Sequence, residues 1–455
     1  MLLDRTKRPF GSEEIKFIAP LIKKIVLNNG LEVLLCEKKD LPIIRINFLV
    51  NSGSKVDPDD TKGMCNLLTM CIDEGAGEYT ALQLADKFEM LGAQFTAACN
   101  EDVSVISLQV LSENFVPAFK LLTTVVTQPH FEETDFKREK NKVLVRLNQS
   151  KAEPDYIADI AFEYFLFGKS SPYAYPVSGI EETVQNIQAD SIRNLYKNNF
   201  NPTNSTMVVV GEIDMESLQK ELIPGFDQWE NKLIKNTSFK NATIGEQQKL
   251  FIINKSNAVQ TEIRTGHISS KRSEIDYFQK QVVNLILGGQ FSSRLNSNLR
   301  EKNGYTYGVH SRFNYLKDAG YFAVSTSVDG ANSVNALREI RKELNRMKDG
   351  ITEEELSFAK SSLIKKYPSN FETYRQIATN ISSKVIHNLP DNYFENYIEN
   401  LRTLELEGVN KVSSSSINCD KLITVLVGDS TKILNELKED EFGQITVLEI
   451  DDVFN

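Results

Sequence analysis

Apolar and polar positions along the chain follow two rhythms, and one succession of rhythms occurs twice. An apolar strand pattern at 43–50 (IIRINFLV) precedes an apolar helix at 62–75 (KGMCNLLTMCIDEG), alternating strands in AQFTAACNEDVSVISLQV and a long amphipathic helix in ENFVPAFKLLTTVVTQ. A further helical stretch, FKREKNKVL, and a strand closed by Gly-acid, STMVVVGEIDMESLQKEL, complete the set. The second succession runs TEIRTGHI, an apolar helix, YTYGVHSRF and GYFAVSTSV as strands, ANSVNALREIRKELNRMKDG and FAKSSLIKK as helices, and KLITVLVGDSTKILNEL. Gly211 and Gly428 lie 217 positions apart, Arg45 and Arg264 219, and the two helical stretches 222. A period of about 220 residues repeated twice means a duplicated domain rather than a solenoid. Strands clustered ahead of helices predict an α+β fold with helices over mostly antiparallel sheets. The predicted division is a first domain at 1–232, a linker at 233–248 within the polar NKLIKNTSFKNATIGEQQK, and a second domain at 249–455.

The apolar helix of the first half carries an amide, a threonine and two thiols where packing alone asks for none of them. It follows the turn NSGSKVDPDDT, rich in Gly, Pro and Asp as a helix start requires. This turn and helix resemble those of the pitrilysin-like zinc metallopeptidases, in the branch of mitochondrial processing peptidase and its bacterial relatives. There a G-S-r-x-E/D turn leads to a helix reading G-x-x-H-x-x-E-H, on chains of two similar halves, so the resemblance spans the whole sequence. In that motif two imidazoles one helical turn apart grip a zinc ion, the glutamate between them activates a water, and a distant carboxylate completes the ligands.

Aligned on Gly63, this chain offers Asn66 and Met70 for the histidines and Thr69 for the base. In FKREKNKVLVRL the supporting carboxylate position is kept as Glu139, while Arg146 stands where the family has its distal ligand. An amide, a thioether and a guanidinium do not replace two imidazoles and a carboxylate. The resemblance therefore implies a degenerate zinc site, with no metal or other cofactor in this chain. Cys65 and Cys71 fall on different faces of the helix and read as small core residues. The four histidines (130, 267, 310 and 387) are dispersed, and none is placed by sequence to activate a thiol.

The second half differs. LGGQFSSRLNSNLREKNGYTYGVHS (287–311) is similar to the family segment l-G-g-x-x-S-S-R-L-x-x-x-l-R-E-K-x-G-x-x-Y. Arg300 and Tyr307, seven apart, occupy the positions of the family's arginine and tyrosine. That pair binds substrate carbonyls and steadies the oxyanion at a zinc held by another half or subunit, and a guanidinium and a phenol suit such charge. Taken alone, Arg300 reads as a helix C-terminal cap and Tyr307 as strand packing; the 25 matching residues around them favour the catalytic reading. The glycines of GGQFSS are not a phosphate loop, lacking G-K-[ST], and DPDD is a turn rather than a calcium loop.

Composition narrows the classes. With 41% apolar and 25% charged residues the chain is globular, and a net charge of −10 argues against nucleic-acid binding. The amino-terminal MLLDRTKRPFGSEEIKF has charges where a signal peptide needs an apolar run, and no segment approaches the about 18 apolar residues of a spanning helix. Five scattered cysteines fit a reducing compartment. The expectation is a bacterial cytoplasmic protein without a membrane span, periplasmic or organellar residence being the alternatives.

A degenerate zinc half beside an intact donor half implies, by the resemblance, half of a clamshell. The chain is expected to be the non-zinc subunit of a heterodimeric peptidase, inactive alone, whose homologous partner brings H-x-x-E-H and zinc and whose substrate is a peptide or unfolded polypeptide. A catalytically inactive scaffold or peptide-binding homologue, including a homodimer, is the alternative.

Overall fold

Each apolar run bounded by turns becomes a strand, and the strands assemble into two sheets of one design. The computed structural model describes residues 15–226, 229–231, 248–438 and 441–453. The first sheet holds β1 (Lys23–Val26), β2 (Glu32–Glu37), β3 (Ile43–Val50), β4 (Gln94–Cys99), β5 (Ser104–Leu111) and β6 (Ser205–Gly211), in the order β1-β2-β6-β3-β5-β4. The second holds β7 (Lys249–Asn254), β8 (Gln260–Ser269), β9 (Val309–Tyr315), β10 (Gly320–Asp329), β11 (Ile423–Gly428) and β12 (Gln444–Leu448), in the order β12-β7-β11-β8-β10-β9. β2 lies parallel to β6 and β7 to β11, while the next three pairings in each sheet are antiparallel. The sheets differ at one edge, where β1 runs antiparallel to β2 and β12 runs parallel to β7. The mixed α/β architecture with mostly antiparallel pairing is the one expected. The linker expected at 233–248 lies, apart from Gln248, outside the described residues.

The register corrects one anchor of the duplication. Glu37 pairs with Gly211 and Asn254 with Gly428, so the sheets superpose at an offset of 217. Ile44 opposes Gly211 and Glu262 opposes Val427, which sets Asn47, not Arg45, at the place of Arg264. The apparent match of Arg45 with Arg264 is slipped by two residues. A strand repeats every two residues, so this slip keeps every side chain on its own face and leaves no trace in the hydrophobic pattern. The contacts follow the structural register: Arg45 Nε donates to Asn47 Oδ1 at 3.1 Å, as Arg264 Nη1 donates to Glu262 Oε2 at 3.0 Å.

One face of each sheet is covered by helices of its own half, and the other by a helix from the opposite half. The helix Pro154–Phe167 leaves the first half and lies on β8 and β11, burying Ile157, Ala158, Ala161 and Phe162 against Val425 and Val427. Reciprocally, Tyr374–Ile386 lies on β3 and β6, burying Ile377, Ala378 and Ile381 against Leu49, Val208 and Val210. Asn47 donates to Ser382 and Arg264 to Asp159, so the two equivalent strand positions each reach the exchanged helix. Complete burial of each large aliphatic side chain contributes about 1.5–3 kcal/mol, and here much of that burial requires both halves at once.

The tips of the β4–β5 and β9–β10 hairpins meet at the junction. Asp102 Oδ1 accepts from Lys55 Nζ and Tyr173 Oη at 2.7 Å each, and its Oδ2 accepts from the Lys317 amide at 2.7 Å. Lys55 also reaches Asp318 at 2.7 Å. Lys55 and Asp102 are buried.

Candidate functional site

The helix Met64–Cys71 begins where the sequence places it, and a buried carboxylate starts it. Asp57 Oδ2 accepts from the Gly63 amide and Oδ1 from the Cys65 amide, at 3.0 Å each. Gly63 has φ +96°, and a Cβ there would stand 2.5 Å from the Ser178 carbonyl oxygen, so only glycine fits. Burial pushes the Asp57 carboxyl up to about 7, against the pull of the two amides. In the unfolded chain the same carboxyl ionises near about 4. Protonation therefore favours the folded form, and this contribution is lost as pH rises through 7. Raising pH from 6.5 to 8 is expected to lower the unfolding free energy by roughly 1 kcal/mol through Asp57. Asp57→Asn keeps a capping oxygen but cannot ionise, so urea melts of this variant should lose that part of the slope; an unchanged slope would assign it to other groups. His387, held down to about 4 by burial, acts in the opposite direction and offsets part of this fall at the lower end of the window, where the unfolded imidazole is still partly protonated.

Asn66 and Met70 share the half-exposed face of the helix, as a ligand pair one turn apart would. Asn66 Nδ2 donates to Met70 Sδ at 3.7 Å. Thr69 points away: it is buried, and its hydroxyl donates to the Asn66 carbonyl at 2.9 Å. On the neighbouring helix Glu133–Ser150, Glu139 is buried and its Oε1 accepts from Arg138 Nε at 3.1 Å and Lys142 Nζ at 2.7 Å. Arg138 also pairs with Glu74 and Asp135. Arg146, two turns beyond Glu139, is exposed. A zinc ion does not fit here, because the pair closes on itself as amide and thioether, the base position is bonded to its own backbone, and the fourth position carries a positive charge. Among the described residues no cluster of three or more His, Cys, Asp or Glu could hold a metal.

Both thiols of this helix are buried. Burial pushes Cys71 up to about 12, and Cys65 rises well above its ordinary range through the adjacent Cys99 and burial. His267 is buried with Nδ1 bonded to the Ile268 carbonyl at 2.9 Å and Nε2 accepting from the Asn418 amide at 3.1 Å. His130 Nε2 lies 2.7 Å from the Gly77 carbonyl.

The second-half segment builds a presented loop. After the helix Tyr277–Leu287, Arg294 anchors the chain through two bonds to Glu355, at 2.8 and 2.7 Å, and one to the Gly350 carbonyl at 3.1 Å. Asn296 then ties three parts together: Nδ2 donates to the Gln290 carbonyl at 3.2 Å and the Val309 carbonyl at 2.8 Å, and Oδ1 accepts from the Val309 amide at 3.2 Å. Residues Asn296–Lys302 form a wide π-helical turn, a feature frequent at functional sites. Arg300 leaves this turn half-exposed, its guanidinium carbon 4.2 Å from the centroid of Phe291. Among the described residues it forms no ion pair or hydrogen bond, so it is not the carbonyl cap that its position at a helix end suggests.

Tyr307 corrects a second expectation. The strand predicted from Tyr305 begins only at Val309, and Tyr307 stands before it in a bend, 94% exposed. Thr306 forces this bend, because its hydroxyl lies 2.9 Å from the Gly308 carbonyl and 2.8 Å from the Ser327 carbonyl and turns the next side chain outward. Strand packing does not account for Tyr307. Arg300 and Tyr307 thus stand on one loop, and among the described residues no hydrogen bond, ion pair or cation–π contact joins them to each other or to Asn66, Thr69, Met70 or Arg146. Sequence reasoning passed over Phe291, Asn296 and Thr306, whose roles depend on contacts across the loop; their only signal was membership of the matched stretch.

Comparison with known proteins agrees with this geometry. Residues 33–167 match the family described as Insulinase (Peptidase family M16), and residues 186–363 match the Peptidase M16 inactive domain. An uncharacterized zinc protease, YmxG, of Bacillus subtilis is 26% identical over 345 residues, covering 75% of this chain and 83% of its own. A Helicobacter pylori protein described as non-peptidase homolog YmxG is 23% identical over 398 residues, covering 86% of this chain and 90% of its own. The crystal structure of a peptidase M16 inactive domain from Pseudomonas fluorescens superposes with a TM-score of 0.84 at 25% identity, over 90% of this chain and 98% of that one. With both halves matched and the two-sheet fold shared, the chain belongs to peptidase family M16.

Proposed function

We propose that this chain is the zinc-free subunit of a two-subunit peptidase, working on a peptide or unfolded segment enclosed between itself and a homologous chain that carries H-x-x-E-H. One observation carries the reading: Arg300 and Tyr307 rise from a loop whose backbone is tied by Asn296 and Thr306, yet their donors meet no acceptor among the described residues. A guanidinium stacked on a ring and a phenol standing in solvent suit an acceptor from outside the chain. Arg300 and Tyr307 would donate to the carbonyl oxygens of the substrate and stabilise the negative charge that develops during attack. The partner would supply zinc and the water it activates. The substrate backbone would add to a sheet edge as an extra strand, which in the family is the edge equivalent to β4 of the zinc-bearing subunit.

Hydrolysis of a quenched fluorescent peptide library tests this, using the chain alone, a co-expressed H-x-x-E-H homologue alone and their mixture, with zinc assayed in each. Activity rising only in the mixture, with zinc on the homologue, is the expected result. A second reading, an inactive scaffold or peptide holder, draws on the relative described as a non-peptidase homolog. It predicts association without a gain in turnover. Zinc and hydrolysis in this chain alone would overturn both.

A further inference from the structure

We infer that Phe291 is a positioning residue that holds the guanidinium of Arg300 for an incoming carbonyl; its bearing on turnover rests on the function proposed above. Phe291 leaves 64% of its surface in water, so its ring is not packed into the core and its face is open to the Arg300 guanidinium. Its backbone is held, since the Ser293 amide donates to the Gln290 carbonyl at 3.2 Å across the turn that contains Phe291. The same Gln290 carbonyl accepts from Asn296, which also grips the start of β9. The ring, the π-turn that bears Arg300 and the strand that follows Tyr307 therefore share one anchor.

The chemistry explains why a ring serves here rather than a carboxylate. A carboxylate would fix an arginine by occupying two of its five N–H donors and offsetting its charge. An aromatic face binds the guanidinium through its π surface, so the in-plane donors stay free for another acceptor. At 4.2 Å from the ring centroid, and with no ion pair among the described residues, Arg300 is restrained with its hydrogen-bonding capacity intact.

The test compares Phe291→Ala, Phe291→Leu and Phe291→Tyr with wild type and Arg300→Ala. The first readout uses the chain alone, labelled at arginine: the ring current of Phe291 should displace the Arg300 Hδ resonances, and the displacement should vanish in the Ala and Leu variants and persist in Tyr. In the peptidase pair, Ala and Leu should lower kcat roughly three- to tenfold with KM little changed, and Tyr should restore it. Melting temperatures should stay level, because the side chain is mostly outside the core. Leu turning over like wild type while Arg300→Ala is impaired would overturn the inference. If Arg300→Ala itself turns over normally, the catalytic reading of Arg300 fails instead, and the ring-current shift then decides the positioning: its absence in wild type overturns it, and its selective loss with the ring supports it.

Discussion

Asp102→Ala is expected to destabilise the fold by about 3–5 kcal/mol, the loss typical of removing one member of a buried ion pair. Asp102 is buried at the meeting point of the halves and accepts from Lys55, Tyr173 and the Lys317 amide. Removing it takes from a buried ammonium its buried carboxylate partner, leaves the half-exposed Asp318 in contact with it, and strips the Tyr173 hydroxyl of its closest acceptor. Both losses fall on the contact that fastens the β9–β10 hairpin to the first half. Urea unfolding should show a lower midpoint, and cleavage by an added protease should begin between the halves. Asp318→Asn is the control, since its 41% exposed carboxylate should contribute no more than about 1 kcal/mol. Equal effects of the two substitutions would mean that Asp102 is not the organising acceptor.

The second large effect lies in turnover rather than stability. Under the proposed function, Arg300→Ala and Tyr307→Phe are each expected to lower kcat of the two-subunit peptidase by about 10²–10³-fold, the loss that follows removal of one preorganised oxyanion donor. Neither should move the melting temperature appreciably, because surface substitutions usually stay within about 0.5 kcal/mol. Tyr307 is almost wholly in solvent, and Arg300 touches only Phe291 among the ring and polar contacts of the described residues. Size-exclusion chromatography should show unchanged association with the zinc-bearing homologue. Wild-type turnover in both variants would remove the pair from catalysis and leave the scaffold reading. The separation of activity from stability is the informative part, since damage to folding would lower both.

Much of this protein was legible in its residues. The repeated succession of strand and helix patterns disclosed the duplication, because buried strands and amphipathic helices have periods that survive divergence of individual residues. The amide, hydroxyl, thioether and guanidinium at positions 66, 69, 70 and 146 were equally legible, since ligand chemistry belongs to the side chain itself. The opening strands β2 and β7 were not anticipated as part of each repeat, although each lies beside a strand closed by Gly-acid. Short apolar runs such as EVLLCE and KLFIIN have too few residues to declare a partner, and their pairing is non-local.

What the sequence determined by itself is the chemistry available to this chain: two halves of one fold, no imidazole or carboxylate at positions 66, 69, 70 and 146, and an arginine and tyrosine seven residues apart. Tertiary structure alone decided how these are used. It set the register in which Asn47 rather than Arg45 matches Arg264, exchanged the helices Pro154–Phe167 and Tyr374–Ile386 between the sheets, turned Tyr307 outward and stacked Arg300 on Phe291. The physical reason is the range of the interactions. Hydrophobic period and ligand identity are local properties of the chain, whereas register, helix exchange and side-chain presentation arise from contacts between residues far apart in sequence, which no local pattern encodes.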